Sequence, residues 1–289
     1  MLPLESVPNF SEGRDRATID AIGAALAGPA RLLDVHADAD HNRSVFTVVG
    51  TEDDLVAALV AAVEVARTRI DLRGHEGAHP RIGAADVVPI VPVAPEDMER
   101  ARATAARVGE RLGELGLPVF FYAPPERGPA FYRRGGVEEL QRRLDAGELS
   151  PDYGPAQLDP SAGGVIVGAR RQLIAFNVNL RGSLETAREV AALVREHEEG
   201  GFPGVRALGL ELPSAGLVQV SMNVEDWEAA ALHEIVALVD AEAAARGAEM
   251  VGSELVGLMP AGAAVAAAGA ALRIDGFDAS HVLELRLLG

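Results

Sequence analysis

Val45-Phe46-Thr47-Val48-Val49-Gly50 runs directly into a long apolar-periodic stretch, 52–70, and Val220-Ser221-Met222-Asn223-Val224 runs into a second one, 225–246. Each is a β-branched strand pattern feeding a helical pattern. Working outward from the first pair, a short strand at 4–7 precedes a helix at 14–26, with Ser11 placed ahead of it as a cap. Strands at 31–36 and 44–49 flank a polar turn, and the 52–70 helix leads to a buried strand at 86–93 that ends in Pro92-Val93-Ala94-Pro95. Outward from the second pair come a strand at 172–179, a helix at 184–196, a hairpin of 205–211 and 217–223 turning at Pro213 to Gly216, the 225–246 helix and a strand at 249–256. Both orders are β-α-β-β-α-β, the split βαβ unit. Local echoes support a duplication: Val7-Pro8-Asn9-Phe10-Ser11-Glu12 precedes the first helix and Phe176-Asn177-Val178-Asn179-Leu180-Arg181 its counterpart. The pattern predicts an α/β (α+β) chain of two tandem ferredoxin-like βαββαβ subdomains, 1–169 and 170–289, with a ligand cleft between them.

Additional elements fall between the repeats: a charged helix at 95–115, a strand at 119–122, a short helix at 137–146 and an irregular stretch at 150–168. Three prolines and four glycines make a helix improbable in the last. It reads either as an inert linker or as backbone that lets a ligand approach closely.

Composition narrows the chemistry. The chain has 289 residues and no cysteine, which removes thiolate nucleophiles, disulfides and cysteine-bound zinc. It has no lysine either, because all 26 basic residues are arginine. Schiff-base catalysis and the lysine-ended phosphate loop are therefore excluded. A net charge of −17 disfavours nucleic acid, yet arginines gathered locally can still receive a small anion. With no secretory pattern at the start and no apolar run near 18 residues, the expectation is a cytoplasmic enzyme, compatible with a homodimer, with small-molecule partners and neither membrane nor nucleic acid.

The richest polar stretch is Gly74-His75-Glu76-Gly77-Ala78-His79-Pro80-Arg81-Ile82-Gly83-Ala84-Ala85-Asp86, just ahead of the buried strand. His75 to His79 spells H-E-x-x-H, which binds zinc only on a helix. Gly74, Gly77 and Pro80 oppose a helix there, so no metal is expected. A second polar stretch, His36-Ala37-Asp38-Ala39-Asp40-His41-Asn42-Arg43, lacks the glycine and terminal glutamate of a calcium loop. It reads as a solvated hairpin tip or as a site, with Arg43 projecting from the start of a strand. His197 reads as a helix-end cap, His233 as mid-helix and structural, His281 as exposed and Trp227 as a core or helix-start anchor.

Val7-Pro8-Asn9-Phe10-Ser11-Glu12-Gly13, His41-Asn42-Arg43-Ser44-Val45-Phe46-Thr47 and the stretch 75–89 resemble the signature segments of the glutamate formiminotransferase family. Pro151-Asp152-Tyr153-Gly154-Pro155, the stretch 173–180 and the stretch 252–260 continue the resemblance in order, so it spans nearly the whole chain. The resemblance implies transfer of the formimino group from N-formiminoglutamate to N5 of tetrahydrofolate in histidine degradation, without the cyclodeaminase domain of the vertebrate form. It implies that His79 is catalytic and that folate binds at Gly154, Pro155, Ala156, Gln157, Leu158, Asp159, Pro160, Ser161, Ala162 and Gly163. Where the vertebrate form has an aspartate assisting the histidine, this chain has His36, so Asp38, Asp40 or His36 takes that part.

The chemistry agrees with that implication. N5 attacks an amidine carbon, and the departing glutamate amine needs a proton, a task for an imidazole with an ordinary pKa of about 6.5. Arg43, Arg81, Arg170 and Arg171 are candidates for the substrate carboxylates. Formyl transfer through the same cleft, a folate-binding module without turnover and a metal hydrolase are the alternatives.

Overall fold

The protein, seen here as a computed structural model, is described over residues 2–122, 127–196 and 200–288. It divides into two compact units, Met1–Arg171 and Gln172–Gly289. The first contains, in order, β1 (Leu4–Ser6), β2 (Asn9–Phe10), α1 (Arg16–Ala27), β3 (Arg31–Asp38), β4 (Arg43–Gly50), α2 (Glu52–Arg69), β5 (Ala85–Pro92), α3 (Met98–Glu114), β6 (Val119–Phe121), α4 (Pro129–Arg133), α5 (Gly136–Asp145) and β7 (Val165–Ala169). β1 and β2 form one interrupted strand, each pairing antiparallel with both β4 and β5. The break falls at Val7-Pro8, where proline has no N–H to donate. The sheet order is β3-β4-(β1, β2)-β5-β7-β6, antiparallel through β5 and parallel beyond it.

Alternation along the strands sends side chains to two separate cores. Val165 and Val167 join Phe10, Ile22, Phe46, Leu55 and Leu59 beneath α1, α2 and α3. Ile166 turns the other way, toward Phe120, Tyr132 and Leu140 beneath α4 and α5. α2 is well specified at its ends: Thr51 and Asp54 form a capping box, acidic residues fill its first turn, and Arg67 and Arg69 its last.

The second unit holds β8 (Ile174–Arg181), α6 (Leu184–Leu193), β9 (Val205–Leu212), β10 (Leu217–Val224), α7 (Leu232–Ala245), β11 (Glu249–Val256), α8 (Ala261–Leu272) and α9 (Leu283–Leu288). Its four strands lie antiparallel in the order β11-β8-β10-β9. Val178, Val218 and Val220 on one face meet Val190, Ile235 and Val239 of α6 and α7. No helix among the described residues is long and apolar enough to cross a membrane.

Several details differ from the sequence expectation. Ser11 does not cap α1; Asp15 does, accepting from Ala17 N. Ser11 is instead drawn into the sheet, its N–H donating to Ala84 O and its hydroxyl to Gly83 O, both within 2.8 Å. The helix expected from 225 begins at Leu232, because Asp226 caps its own turn (Ala229 and Ala230 both donate to its carbonyl) and Trp227 packs beside the core. His233 therefore sits in the first turn of α7 rather than mid-helix, with a buried Nδ1 that has no hydrogen-bond partner among the described residues. The end of the irregular 150–168 stretch is β7, an apolar run completed by parallel pairing to β5 and β6, and α4 is an additional helix. His281 is exposed in a turn with Asp278; His197 lies outside the described residues.

Candidate functional site

The site is built where the β3–β4 hairpin tip meets the loop before β5. Residues 75–80 are non-helical. The loop is tied to the hairpin by main chain: Ala78 N donates to Asp40 O at 3.0 Å, and Asn42 Nδ2 donates to Glu76 O at 2.9 Å. Asn42 adopts a left-handed φ of 45°, which asparagine tolerates. Its Oδ1 accepts from Gly13 N, so one carboxamide joins three segments. A methyl at Gly77 would collide with His41 O and the Arg81 guanidinium, so only glycine lets the loop lie this close.

Arg81 completes the clamp, donating to the carbonyls of His41, Asn42 and His79 at 2.7–3.1 Å, with His75 Nδ1 2.9 Å from its Nη1. Burial, then Arg81, lowers the pKa of His75.

Beneath the loop, Asn9 pairs with Val87 while Phe10 pairs with Ala85, leaving Asp86 as the extra residue of a bulge in β5. Bulges re-aim side chains, and this one delivers a fully buried carboxylate. Asp86 Oδ2 accepts from Arg43 Nη1 at 2.9 Å and from Arg133 Nη2 at 2.5 Å, while its Oδ1 accepts from Ile82 N. Asn9 Oδ1 fixes the other edge of Arg43, accepting from Nε and Nη2 at 3.0 and 2.6 Å. Burial lowers the Arg43 pKa to about 10, with Asp86 opposing the shift. Burial pushes Asp86 up, but Arg133, Arg43 and the hydrogen bonds outweigh it and hold the carboxyl below its ordinary value.

His79 lies half-buried above this network. Its ring is 6.1 Å from that of His41, with the planes 29° apart. Nδ1 is 2.8 Å from Pro80 O and 3.2 Å from Arg43 Nη1. A carbonyl can only accept and a guanidinium can only donate, so the two contacts call for opposite tautomers, and the shorter of them, to Pro80 O, favours the proton on Nδ1. Arg43 then acts as a nearby charge, and Nε2 carries the lone pair. Burial, then Arg43 and Arg133, depresses the His79 pKa well below the ordinary imidazole value. The result is an imidazole biased toward its neutral form by the guanidiniums near it.

Of the residues expected from the sequence, His79, Arg43 and Arg81 are brought together. Asp38 closes the hairpin turn, accepting from His41 N at 2.6 Å. His36 is half-buried on β3, opposite Val45 in register. Arg170 Nη1 donates to Arg171 O, and neither arginine figures in the contacts around His79. Among the stretch 154–163, Leu158, Ala162 and Gly163 are buried. Asp159 accepts from Ser161 N, Ser161 Oγ and Ala162 N and pairs with Arg67. Gly163, at φ 69°, bridges to Gly83, so the stretch runs alongside the end of the His79 loop. Among the described residues no three His, Asp or Glu converge as metal ligands.

Asn9, His41, Asn42, Asp86 and Arg133 were not picked out as site residues from sequence. The available signal was a carboxamide within a strand pattern for Asn9 and a carboxylate opening an apolar strand for Asp86; Arg133 gave none.

Such a centre sets a half-buried imidazole beside paired guanidiniums and a buried carboxylate in an α/β protein. Residues 3–170 match the formiminotransferase domain, N-terminal subdomain, and residues 175–276 the formiminotransferase domain. Glutamate formimidoyltransferase of Streptococcus pyogenes is 37% identical, with 99% of each chain covered. The enzyme of that name from Thermoplasma acidophilum is 39% identical over 98% of this chain and 97% of its own. Formimidoyltransferase-cyclodeaminase of Rattus norvegicus is 40% identical over 89% of this chain and 50% of its own. The chain belongs to the formiminotransferase family.

Proposed function

We propose that this chain is a glutamate formimidoyltransferase, carrying the formimino group from N-formimino-L-glutamate to N5 of tetrahydrofolate. Near-complete coverage of two relatives bearing that enzyme name carries this reading. Both units are taken as ferredoxin-like, a reading supported by their shared strand permutation: β3-β4-(β1, β2)-β5 in the first and β9-β10-β8-β11 in the second.

His79 is the proton shuttle. With Nδ1–H engaged by Pro80 O, the Nε2 lone pair takes the proton released as N5 attacks the amidine carbon. The imidazolium then protonates the glutamate nitrogen as the tetrahedral intermediate collapses. A neutral resting imidazole suits the first step. A bound dicarboxylate would offset the charge of Arg43 and Arg133, raise the His79 pKa and prepare it to hold the proton between steps. Arg43, Arg81 and Arg133 are the carboxylate receptors, since three guanidiniums outnumber the buried Asp86. Burial also lowers the Arg81 pKa, with Asp86 opposing the shift. The stretch 154–163 borders the folate; of its polar groups, Asp159 is engaged in shaping the turn, which leaves backbone and the exposed residues 154–157 for contact.

His79→Asn tests the role. Turnover should fall by about 10²–10⁴-fold, with the folate dissociation constant within about twofold of wild type. Retained turnover would reject the assignment. Assaying formimino and formyl donors side by side separates the proposed reaction from formyl transfer.

A further inference from the structure

His75 opens the loop that carries His79, and no step of the proposed reaction uses it. It is half-buried, and because residues 75–80 are non-helical, no helix face brings the two rings together. What joins them is Arg81. A guanidinium has five N–H groups, and here each of them meets a protein acceptor. Nε and Nη2 donate to His79 O at 3.1 and 2.8 Å, and Nη2 donates also to His41 O at 2.7 Å. Nη1 donates to Asn42 O at 2.8 Å, and its other hydrogen is left for the His75 ring, with Nδ1 at 2.9 Å and Nε2 at 3.4 Å. Arg81 therefore meets a bound carboxylate with its charge rather than with a spare N–H. The carbonyl acceptors do not titrate in the physiological range, whereas the imidazole does. A doubly protonated ring has no lone pair for Arg81 and repels it as a like charge.

We propose that His75 is a positioning residue for His79: by accepting from Arg81 it holds the guanidinium against the His79 and His41 carbonyls, and its protonation opens that clamp. The proposal rests on the role of His79 given above. The surroundings keep the clamp shut at neutrality. Burial, then Arg81, disfavours the charged ring, the Ser11 backbone and Glu12 favour it, and Arg14 disfavours it, with a lowered pKa as the outcome. The clamp has little room to adjust, since a methyl at Gly77 would already meet both the Arg81 guanidinium and His41 O. Losing the His75 contact thus frees one corner of Arg81, and the displacement passes to the main chain of His79 itself. Two histidines on one loop then need to be unprotonated together for full activity, one as the base and the other as the acceptor that sets the base in place.

His75→Gln offers Arg81 an amide oxygen that does not titrate, and His75→Leu offers it nothing. The leucine variant should lose about tenfold to a hundredfold in kcat on the pH-independent plateau, with KM for both substrates little changed. The glutamine variant should recover most of that loss. On a logarithmic plot the acid limb of kcat/KM should approach a slope of about two in wild type and about one in His75→Gln. Hydrogen exchange at Arg81 Nε–H, followed by 15N NMR, needs no turnover. Its protection relative to free arginine should fall on acidification in wild type, hold in His75→Gln and be low throughout in His75→Leu. An acid limb as steep in His75→Gln as in wild type overturns the proposal. So does a glutamine variant no faster than the leucine one, wild-type kcat in a folded His75→Leu, or Arg81 protection that ignores pH in wild type. Should His75→Leu fail to fold, the slope and the Arg81 protection of His75→Gln decide. If wild type transferred no formimino group, the enzyme reading would fail instead, and the Arg81 protection profiles alone would judge the clamp.

Discussion

The protonation state of His79 governs the residue-scale predictions. Burial and two guanidiniums depress its pKa, so the proposed base should be neutral in the free enzyme at neutrality and remain so somewhat below it. The kcat/KM profile should stay level as pH falls through about 6.5 and drop only at more acid pH. An acid limb centred near 6.5 would contradict this. Arg133→Met removes one of the depressing charges and should move the limb upward in pH. Stability follows the same sign. Between the depressed folded pKa and the unfolded value of about 6.5, the unfolded chain binds a proton that the native ring refuses. Native stability is therefore full above about 6.5 and declines as pH falls below it, with His75 adding in the same direction. Asp86→Ala would leave Arg43 and Arg133 buried beside each other without their carboxylate. Urea titration should show a loss of about 3–5 kcal/mol, and a loss under about 1 kcal/mol would mean that the pairing is not worth what its burial suggests. His79, Arg43 and Arg81 were legible in the sequence because they sit in dense polar stretches. Arg133 was not, and Asp86, though it closes the same polar stretch, looks there like the boundary of an apolar strand; only the bulge turns it into the hub of an ion-pair network.

At the scale of elements, the junction between β2, the hairpin and the loop before β5 fixes the site. Ser11→Ala leaves the Gly83 carbonyl without its buried donor, so thermal or chemical unfolding should report a loss of about 1–3 kcal/mol. Were Ser11 only a helix cap, the damage would be confined to α1, and amide exchange around 82–85 would not change. Gly77→Ala should lower kcat more than it lowers the melting temperature, since it displaces the hairpin and Arg81 rather than a core. Most strands and helices could be placed from periodicity, since their apolar faces are clean. The start of α7 could not. Glu225 to Ala231 has the composition of a helix, but a turn at Asp226 and the packing of Trp227 override that preference. β7 was hidden for the opposite reason: a five-residue run among glycines and prolines acquires strand identity only from its parallel neighbours.

Over the whole molecule, the strands from β1 to β5 of the first sheet and the four of the second follow the same spatial order, while β7 and β6 extend the first sheet and give it a second core. A cavity in one core should be felt locally. Ile235→Ala should cost about 2–5 kcal/mol and raise amide exchange across β8 to β11, while protection in β1 to β5 persists. Equal loss throughout would mean that the chain unfolds as one cooperative unit. The net charge of −17 also takes on a different meaning beside the site, where guanidiniums outnumber carboxylates. What could not be foreseen from the average composition was this local reversal of sign.

The acceptor beside Nδ1 of the His79 ring is the oxygen of the next peptide group, not an aspartate or glutamate. An acceptor that every amino acid possesses cannot be deleted by exchanging one side chain. Laboratory evolution toward acid or alkaline optima would thus have the surrounding cations as its adjustable parts, while the tautomer is inherited from the path of the backbone.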